Sequence, residues 1–555
     1  MKNLWMVLFF LSVVLYSQKD TQQQHAMVVS AREEASKIGS EIMKSGGNAF
    51  DAMVATEFAL AVCFPFAGNI SGGGFMVYRK ANGEIGSLDY REKAPFAATK
   101  DMYLDKNKNV ITNLSVDGAL AVGVPGTIAG LFAVHKKFGK LPFYKLIQPA
   151  IDLAKKGVVV TDKQNKQIEK YHSDIVRVSG TETLYSRNYK KGDTIKYIAL
   201  ANTLEKIKKN GENEFYKGET AKNIVAFIKS KGGIISLKDL AAYKPIWRKP
   251  IIFKYKDLKI ISMAPPSSGG ITLQQIMTMI APYDVNKLDH NSVKYIQILT
   301  EAERRAYADR NYFLGDPDFV SIPTKKLTDA TYLKTRMSTF NWDKATESTA
   351  VSHGEIPASE SNETTHYSII DASGNAVSVT TTLNGAYGSK LFSDELGFFF
   401  NNQMDDFSAK PGVPNSYGLV GAAANSIAPQ KRMLSSMTPT IIEKKGKLLM
   451  VVGTPGGSTI ITSVLQTILN VTEFKMTMQA AVDSPRFHHQ WLPDEIGFEP
   501  NLFNPNDLEI LAKKGYHINE KNFPVLGKVD ALLMLPNGTI EAGADKRGDD
   551  KAIGF

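Results

Sequence analysis

Hydrophobic and polar positions follow different periods in different parts of this chain. In the first half, apolar residues recur mostly at helical spacing, as in AREEASKIGSEIMK and AFDAMVATEFALAVCF, which Gly46-Gly47 separates before Asn48 begins the second helix. KLIQPAIDLAKK and IQILTEAERRAYADRNYF predict two further helices, whereas GGGFMVYRKANGEIGSLDY predicts a hairpin with ANGE as its connection. The first half should therefore combine many helices with fewer strands.

Downstream of Glu363 the pattern changes to short strands. THYSIIDASGNAVSVTTTLN predicts a hairpin with Gly374-Asn375 at its turn, and KLLMVVGTPGG predicts another strand. The stretch from about 325 to 363 lies between the two patterns: it begins helical and becomes rich in Ser, Glu, Thr and Gly, which bury little apolar area. We predict an exposed linker that ends at Glu363 and meets a rigid strand at Thr364.

The N-terminal residues carry the pattern of a secretory signal. Residues 1–17, MKNLWMVLFFLSVVLYS, place one lysine before an apolar run that is too short for a comfortable membrane span, followed by a small residue. We expect export to the periplasm or beyond; the alternative is an uncleaved N-terminal anchor. No later segment approaches the length of a membrane span. Cys63 is the single cysteine, so no intrachain disulfide is possible, and its apolar neighbours predict a core residue.

Charge is distributed unevenly along the 555 residues. The whole chain carries a formal net charge of +10, but residues 364–555 hold 16 Lys+Arg against 19 Asp+Glu, so the excess is upstream. The upstream lysines are scattered, without a block of like charge or interleaved aromatic residues suited to stacking on bases. We therefore expect a solvated basic surface that attracts small anionic substrates, and no nucleic-acid partner.

The common catalytic motifs are absent from the sequence. It contains no HExxH, the adjacent histidines of FHHQW rarely reach one ion together, SGGGF lacks the Lys-Ser/Thr of a phosphate loop, and there is no GxSxG. Five hydroxyl- and glycine-rich clusters remain, all in the final third: TTH (364–366), TTTLN (380–384), NNQMDDF (401–407), LSSMTPT (434–440) and GTPGGS (453–458). Taken singly, they are typical of strand ends, a polar strand, a loop and turns.

In this order, the five clusters resemble the small subunit of the γ-glutamyltranspeptidases, a family of N-terminal-nucleophile hydrolases. The resemblance covers nearly the whole chain after the signal. It continues through NAFDAMVATEFAL, GGGF, DYREKAP, APPSSGG, YADRNYFLGDPDFV and PRFHHQWLPDE. It implies an α+β fold, a four-layer αββα sandwich of the N-terminal-nucleophile hydrolase type that a large and a small subunit form jointly.

The resemblance also implies that the chain cuts itself between Glu363 and Thr364. Together with removal of the signal peptide, residues 1–17, this cut would leave a large subunit of residues 18–363 and a small catalytic subunit of residues 364–555. An interior threonine has a hydroxyl but no adjacent base, whereas the cut places an α-amine, with a reference pKa of about 7.7 to 8.0, beside that hydroxyl. The same residue then supplies both nucleophile and base.

The resemblance assigns roles to residues of the clusters. Thr364 matches the nucleophile, which Thr382 and Asn384 would orient, with Thr365 as a supporting neighbour, and the Gly456 and Gly457 N–H groups match the oxyanion hole. For the glutamyl group, a guanidinium and hydroxyls suit the α-carboxylate, and acidic or amide groups suit the α-ammonium. The matching residues are Arg91, Ser435 and Ser436 for the carboxylate, Asn384, Gln403 and Asp406 for the ammonium, and Tyr417 in a lid loop at 409–421.

The implied reaction is transfer of the γ-glutamyl group of glutathione or a related amide to water, an amino acid or a peptide, with no cofactor and no metal. One alternative is a cephalosporin (glutaryl) acylase, because such acylases share the fold and the nucleophile. Another is an exported protein that binds a glutamate-like ligand without catalysis; it predicts no self-cleavage.

Overall fold

Two seven-stranded antiparallel sheets form the centre of the protein. The computed structural model describes residues 21–23, 25–353, 363–408 and 423–555. The strands of the described residues are β1 (Thr21–Gln23), β2 (Met27–Ser30), β3 (Gly73–Arg79), β4 (Ile85–Asp89), β5 (Val158–Val159), β6 (Thr194–Ile195), β7 (Ile246–Arg248), β8 (Ile251–Tyr255), β9 (Leu258–Ser262), β10 (Glu363–Ile370), β11 (Ala376–Asn384), β12 (Phe392–Ser393), β13 (Phe398–Phe399), β14 (Thr440–Lys444), β15 (Lys447–Gly453), β16 (Phe487–His488), β17 (Ile496–Phe498), β18 (Ile518–Asn519), β19 (Asp530–Met534), β20 (Ile540–Ala544) and β21 (Lys551–Gly554).

Helices cover the outer faces of both sheets. They are α1 (Glu33–Lys44), α2 (Ala49–Cys63), α3 (Thr127–Phe138), α4 (Phe143–Lys156), α5 (Asp162–Ser179), α6 (Ile198–Asn210), α7 (Glu212–Tyr216), α8 (Glu219–Ser230), α9 (Leu237–Ala242), α10 (Gly269–Ile280), α11 (Val293–Phe313), α12 (Thr324–Leu327), α13 (Ala330–Arg336), α14 (Thr459–Thr472), α15 (Met478–Asp483) and α16 (Pro505–Lys513). The α2 helix begins as predicted, because the Asn48 side chain accepts from the Phe50 and Asp51 N–H groups while Asp51 accepts from the Asn48 N–H.

The strand orders place the predicted hairpin near the middle of the molecule. Sheet I has the order β21-β2-β10-β11-β3-β4-β7, and sheet II has the order β1-β20-β19-β15-β14-β9-β8. The sheets lie face to face: Ser378 Oγ of β11 donates to Val452 O of β15 at 3.1 Å, and Ser368 Oγ of β10 donates to Asp530 O of β19 at 3.0 Å. The two strands that carry Thr364 and Thr382 are therefore central strands.

The alternation of side chains along each strand builds two cores. In β2, Val28 packs with α1 to α4 on the outer face of sheet I, while Met27 and Val29 join the core of sheet II, which also contains Ile276 of α10 and Val464 of α14. The layers are thus helix, sheet, sheet and helix, so the predicted αββα sandwich is confirmed.

The fold bears on two further sequence predictions, the exposed linker and the buried cysteine. The predicted linker starts with α12 and α13, but its continuation is not exposed throughout: Ser348 and Val351 are buried, and Trp491 Nε1 donates to Ser348 O at 2.8 Å. Polar composition did not reveal this burial, because a backbone group of the segment pairs with a distant side chain. Residues 354–362 lie outside the described part of the chain. Cys63 is a buried core residue as predicted.

In the part of the chain that the structure describes, none of the helices combines the length and the apolar character that crossing a membrane requires.

Candidate active site

Thr364 lies near the start of β10, directly opposite Thr382 of β11. Side chains of such cross-strand partners lie on the same face, with Cβ atoms roughly 4.5 to 5.5 Å apart. The ladder register shifts between Glu363 and Thr364, and Glu363 pairs instead with Asn384. The predicted scissile bond therefore coincides with an irregularity of the sheet, the kind of feature that often adjoins active sites.

Because side chains alternate along β10, the residues that follow Thr364 lie on opposite faces of sheet I. Tyr367 lies on the helix-covered face, where its hydroxyl donates to Glu57 at 2.6 Å, and Thr365 alternates with it to that face. His366 lies between the sheets, where its ring bonds Thr380 Oγ1 at 2.9 Å and Ser368 Oγ at 3.0 Å. Burial lowers the pKa of His366 to about 3, so this histidine is neutral and serves packing between the sheets.

A narrow cavity brings together nearly all of the predicted site residues. It is lined by Arg91, Thr364, Thr382, Asn384, Gln403, Asp406, Ser435, Ser436, Met437, Gly457 and Ile460. These residues are up to 369 positions apart in the chain, from 91 to 460. Gly456 adjoins this cavity through its neighbour Gly457, whereas Tyr417 and the predicted lid loop lie outside the described residues.

A cation and an anion stand side by side in the cavity. Arg91 Nη2 donates to Asp406 Oδ2 and, at 3.1 Å, to Leu434 O. Gln403 Nε2 also donates to Asp406 Oδ2, at 2.7 Å, and among the described residues Gln403 Oε1 has no hydrogen-bond partner. Paired charges of opposite sign with a free acceptor are complementary to a zwitterion such as the α-carbon end of a glutamyl group.

Only one of two adjacent aspartates faces this cavity. The short 3₁₀ helix Gln403–Asp406 directs Asp405 away from it, so that Ser115 Oγ donates to Asp405 Oδ1 at 2.5 Å. Burial raises the pKa of Asp405 to about 7. Of the two aspartates of NNQMDDF, Asp406 thus lines the cavity and Asp405 is a buried structural carboxyl.

The two cavity serines are held from behind by the APPSSGG segment and by α11. Ser268 donates to Ser435 O through its backbone N at 2.6 Å and its Oγ at 2.8 Å. Ser436 Oγ accepts from Arg310 Nη2 at 2.9 Å, and Arg310 Nε donates to Ser268 Oγ at 3.0 Å. Sequence reasoning quoted the segments that contain Ser268 and Arg310 but did not assign them a role.

Asn384 is positioned by an unusual backbone conformation. It ends β11 with a φ of 75°, in the left-handed region that asparagine tolerates better than most residues. Its backbone N donates to Thr382 Oγ1 at 2.7 Å, and its Nδ2 donates to Asn402 O at 3.0 Å. The predicted pair of orienting residues is therefore itself connected by a hydrogen bond.

The glycine loop between β15 and α14 supplies candidate oxyanion donors. Gly456 has a φ of 134° and Gly457 a φ of 58°, a region that favours glycine. Their carbonyls accept from the Thr459 and Ile460 N–H groups at 3.1 Å, which begins α14. Within the described residues neither the Gly456 nor the Gly457 N–H has an acceptor. Two free donors beside a hydroxyl are the arrangement that stabilises a developing oxyanion.

Glu92 is a buried carboxyl beside the site that sequence reasoning missed. Its Oε2 lies 4.0 Å from Arg91 Nη1, and both carboxyl oxygens lack a hydrogen-bond partner among the described residues. Burial raises the pKa of Glu92 to about 8, although Arg91 acts in the opposite direction. Its position directly after Arg91 was visible in DYREKAP, but its burial was not.

Comparison with known proteins extends this picture. The family model described as gamma-glutamyltranspeptidase matches residues 35–555. The chain is 44% identical to a glutathione hydrolase proenzyme of Escherichia coli (strain K12), over 96% of this chain and 92% of that protein. Among solved structures, a Helicobacter pylori gamma-glutamyltranspeptidase is 44% identical with a TM-score of 0.57, covering 58% of this chain and 93% of that one.

A cephalosporin acylase from Bacillus halodurans shares the fold, with a TM-score of 0.85 over 99% of both chains at 23% identity. The fold is therefore common to transpeptidases and acylases, whereas the family model and the 44% identity to a glutathione hydrolase proenzyme favour the transpeptidases. On this evidence the chain belongs to the gamma-glutamyltranspeptidase family.

Proposed function

We propose that this protein is a self-processing γ-glutamyltransferase and glutathione hydrolase whose nucleophile is Thr364. The observation that carries the proposal is the cavity itself: a strand threonine, a zwitterion-binding set of side chains and a loop with two free N–H groups meet in one place. A non-catalytic glutamate-binding protein would need the charged set but neither the threonine nor the donors.

The first step would be cleavage of the Glu363–Thr364 bond. The Thr364 hydroxyl adds to the Glu363 carbonyl, the C–N bond breaks, and water hydrolyses the resulting ester. Cleavage leaves a large subunit of residues 18–363 and a small subunit of residues 364–555. The new α-amine of Thr364 is then available as a base beside its own hydroxyl.

Turnover would use the same atoms. The α-amine takes the hydroxyl proton while Oγ attacks the γ-carbonyl of the donor, and the Gly456 and Gly457 N–H groups bind the oxyanion. Collapse breaks the C–N bond, and the α-ammonium of Thr364 returns the proton to the leaving amine. Water or an amine then attacks the glutamyl ester, which yields glutamate or a new γ-glutamyl amide.

Recognition of the glutamyl end follows from the charges of the cavity. Arg91 with the Ser435 and Ser436 hydroxyls binds the α-carboxylate. Asp406, Gln403 Oε1 and the Asn384 side chain bind the α-ammonium. Because a glutaryl group has no ammonium, it would leave Asp406 buried without this partner, an arrangement that costs free energy. This favours γ-glutamyl over glutaryl amides.

We also propose that residues 1–17 direct export, to the periplasm or the exterior, where extracellular glutathione would be the donor. Tyr417 and its loop are proposed to cover the bound substrate. Residues 1–17 and Tyr417 lie outside the described part of the chain, so both proposals depend on sequence alone.

The test begins with the intact mass of the purified protein. A small fragment whose mass makes Thr364 its first residue is expected, and Thr364→Ala should remain one chain. The processed protein should hydrolyse a γ-glutamyl anilide much faster than the matching glutaryl anilide. An uncut, inactive protein would overturn the proposal, and preference for the glutaryl compound would point to an acylase.

A further inference from the structure

The side chain of Asn425 joins two segments that meet at the nucleophile cavity. Asn425 ends the short 3₁₀ helix Ala423–Asn425 and is 3% exposed. Its Nδ2 donates to Asp406 O at 2.7 Å, and its Oδ1 accepts from the Leu434 N–H at 2.9 Å. Asn425 is not one of the residues that line the described cavity. One amide group therefore connects the backbone of the acidic cavity residue to the backbone directly before the two cavity serines.

The same two segments meet a second time at Arg91. Its Nη2 donates to Asp406 Oδ2 and, at 3.1 Å, to Leu434 O. Arg91 thus contacts the carboxylate of Asp406 and the carbonyl of Leu434, whereas Asn425 contacts the carbonyl of Asp406 and the N–H of Leu434. The four residues form a closed ring of hydrogen bonds, so the position of Asp406 relative to Ser435 depends on both Arg91 and Asn425.

The backbone around Asn425 is anchored, which gives its side chain a fixed direction. The Ser408 N–H donates to Asn425 O at 3.0 Å. Lys431 Nζ donates to Ala424 O at 2.7 Å and to Ser426 O at 2.9 Å, so the carbonyls on both sides of Asn425 are also held. If the Asn425 side chain turned away, two buried backbone groups would lose this partner, and such a loss costs free energy.

The residue type suits both contacts of the side chain. An amide supplies a donor and an acceptor from one short side chain, whereas an ionised carboxylate only accepts. An aspartate at position 425 would keep the bond from the Leu434 N–H but would place a second acceptor against Asp406 O. A glutamine would carry the same groups on a chain that is one methylene longer. Asparagine therefore satisfies both backbone groups at the observed distances.

We infer that Asn425 is a positioning residue for recognition of the glutamyl group. It sets the separation between Asp406, the proposed partner of the α-ammonium, and the Ser435 and Ser436 hydroxyls, the proposed partners of the α-carboxylate. Binding sites of this kind hold their polar groups to within about 0.5 Å, so a small displacement weakens binding of a zwitterion. This inference rests on the proposed function and extends it to a residue outside the cavity lining.

The test compares two donors that differ only in the α-ammonium group, γ-glutamyl-p-nitroanilide and glutaryl-p-nitroanilide, with kcat and KM measured for each. The variants are Asn425→Asp, which replaces the donor by an acceptor, and Asn425→Ala, which removes both bonds without adding a charge. Melting curves establish whether each variant is folded, and intact masses follow its self-cleavage.

Asn470→Asp is the matched control. Asn470 is a buried asparagine whose Nδ2 also donates to a backbone carbonyl, Ala481 O, at 3.2 Å. It lies ten residues after the cavity residue Ile460 in α14, which corresponds to about 15 Å along a helix. The control therefore makes the same chemical change at a buried position remote from the glutamyl site.

Asn425→Asp should raise KM for the γ-glutamyl donor about tenfold, because the charge-assisted contact to the ammonium is misplaced, and should change kcat by less than about threefold. The ratio of kcat/KM for the γ-glutamyl donor to that for the glutaryl donor should fall by about the same factor. Self-cleavage should match that of the parent protein, because it does not involve the α-ammonium site. Asn425→Ala should shift KM and the ratio in the same direction, and Asn470→Asp should leave both unchanged.

A parent-like KM and a parent-like donor ratio in the Asn425 variants would overturn the inference. Equal losses of kcat on both donors with slower self-cleavage, or failure of both variants to fold, would assign Asn425 a merely structural role and overturn it as well. In each of these cases the parent protein would still support the proposed function. A parent protein that neither cuts itself nor hydrolyses the γ-glutamyl donor would instead overturn the proposed function, and the inference with it.

Discussion

At the scale of single residues, the environment of a side chain decides its role. Thr364 and Thr365 have the same chemistry, yet one lines the cavity and the other alternates to the helix-covered face. Asp405 and Asp406 differ in the same way, because the 3₁₀ helix directs one carboxyl to Ser115 and the other to Arg91. Adjacent residues of one type therefore serve as matched internal controls.

The first prediction uses this aspartate pair. Asp406→Asn should raise KM for a γ-glutamyl donor by roughly 10- to 100-fold, because a charge-assisted bond to the ammonium is worth about 1.5 to 3 kcal/mol. Asp405→Asn makes the same change one residue away, outside the cavity, and should alter KM by less than about threefold. Steady-state kinetics on both variants measures the difference; similar KM values would contradict the assignment of Asp406.

The second prediction concerns the pH dependence of stability. The pKa of Glu92 is raised to about 8 in the folded protein. Between about pH 4.5 and 8 the unfolded chain loses this proton while the folded protein keeps it, so the free energy of unfolding falls as pH rises through this window. Glu92→Gln removes this contribution to the pH dependence of the free energy of unfolding. Because the amide resembles the neutral carboxyl, the variant should keep its activity near neutral pH.

Melting temperatures between pH 5 and 8 measure the effect. The parent protein should lose more stability across this range than Glu92→Gln, while the surface variant Glu182→Gln should follow the parent. Identical pH profiles of the parent protein and Glu92→Gln would show that Glu92 is ionised in the folded state.

At the scale of elements, strand ends and one loop position the chemistry. Thr364 lies near the start of β10, Asn384 ends β11, and the glycines follow β15, so the proposed reacting groups lie at neighbouring strand ends of two packed sheets. Hydrogen bonds of the regular ladders hold these ends in place, while the Gly456 and Gly457 N–H groups have no acceptor in the described part of the chain. A shift between the sheets would therefore misplace the proposed nucleophile, Thr364, relative to the proposed oxyanion donors.

The third prediction tests the fit between the sheets. A Cβ added at Gly453 would lie 2.2 Å from His366 Cε1, so Gly453→Ala should overpack the interface and cost about 1 to 3 kcal/mol. His366→Ala should also destabilise, by leaving a cavity. The double variant should be more stable than the sum of the two losses implies, because the methyl group then enters the space of the ring.

Thermal unfolding of the two single variants and the double variant, made in a Thr364→Ala background so that every chain stays uncut, measures this coupling. Strict additivity would mean that the two residues do not compete for the same space.

At the scale of the whole molecule, the two proposed subunits are interleaved. Sheet I places β10, β11 and β21 among β2, β3, β4 and β7, and sheet II places β14, β15, β19 and β20 between β1 on one side and β9 and β8 on the other. Strands from both sides of Glu363 thus share backbone ladders and both cores. Cleavage of one peptide bond leaves all of these contacts intact.

The fourth prediction follows from this interleaving. After cleavage, the two fragments should elute together in gel filtration even in about 1 M NaCl, because salt screens surface charges but does not weaken buried ladders or apolar contacts. Separation should need a denaturant. Dissociation in salt alone would indicate that the fragments are held mainly by surface ion pairs.

The amino-acid sequence by itself determined the local elements and the inventory of chemistry. Helical spacing predicted α1, α2, α4 and α11, the Gly374-Asn375 turn predicted the β10–β11 hairpin, and the order of five short clusters indicated the family. The helices and the hairpin depend on neighbours a few residues apart, which is why pattern and propensity suffice for them, whereas the family was indicated by the resemblance of the motifs. Where contacts are distant, as for the buried residues Ser348 and Val351 within the otherwise largely exposed linker, the same reasoning did not reveal the burial.

Only the tertiary structure decided which distant residues meet and which of their ionisable groups have shifted pKa values. The fold brings Arg91 within hydrogen-bond reach of Asp406, and it buries the Glu92 carboxyl, which raises the pKa of that group. It also places Lys528 beside the glycine loop, where the Lys528 N–H donates to Thr454 Oγ1. Desolvation and contact between distant segments set these properties, and neither has a signature in the order of neighbouring residues. The candidate residues of the site were readable from the sequence, whereas their geometry required the fold.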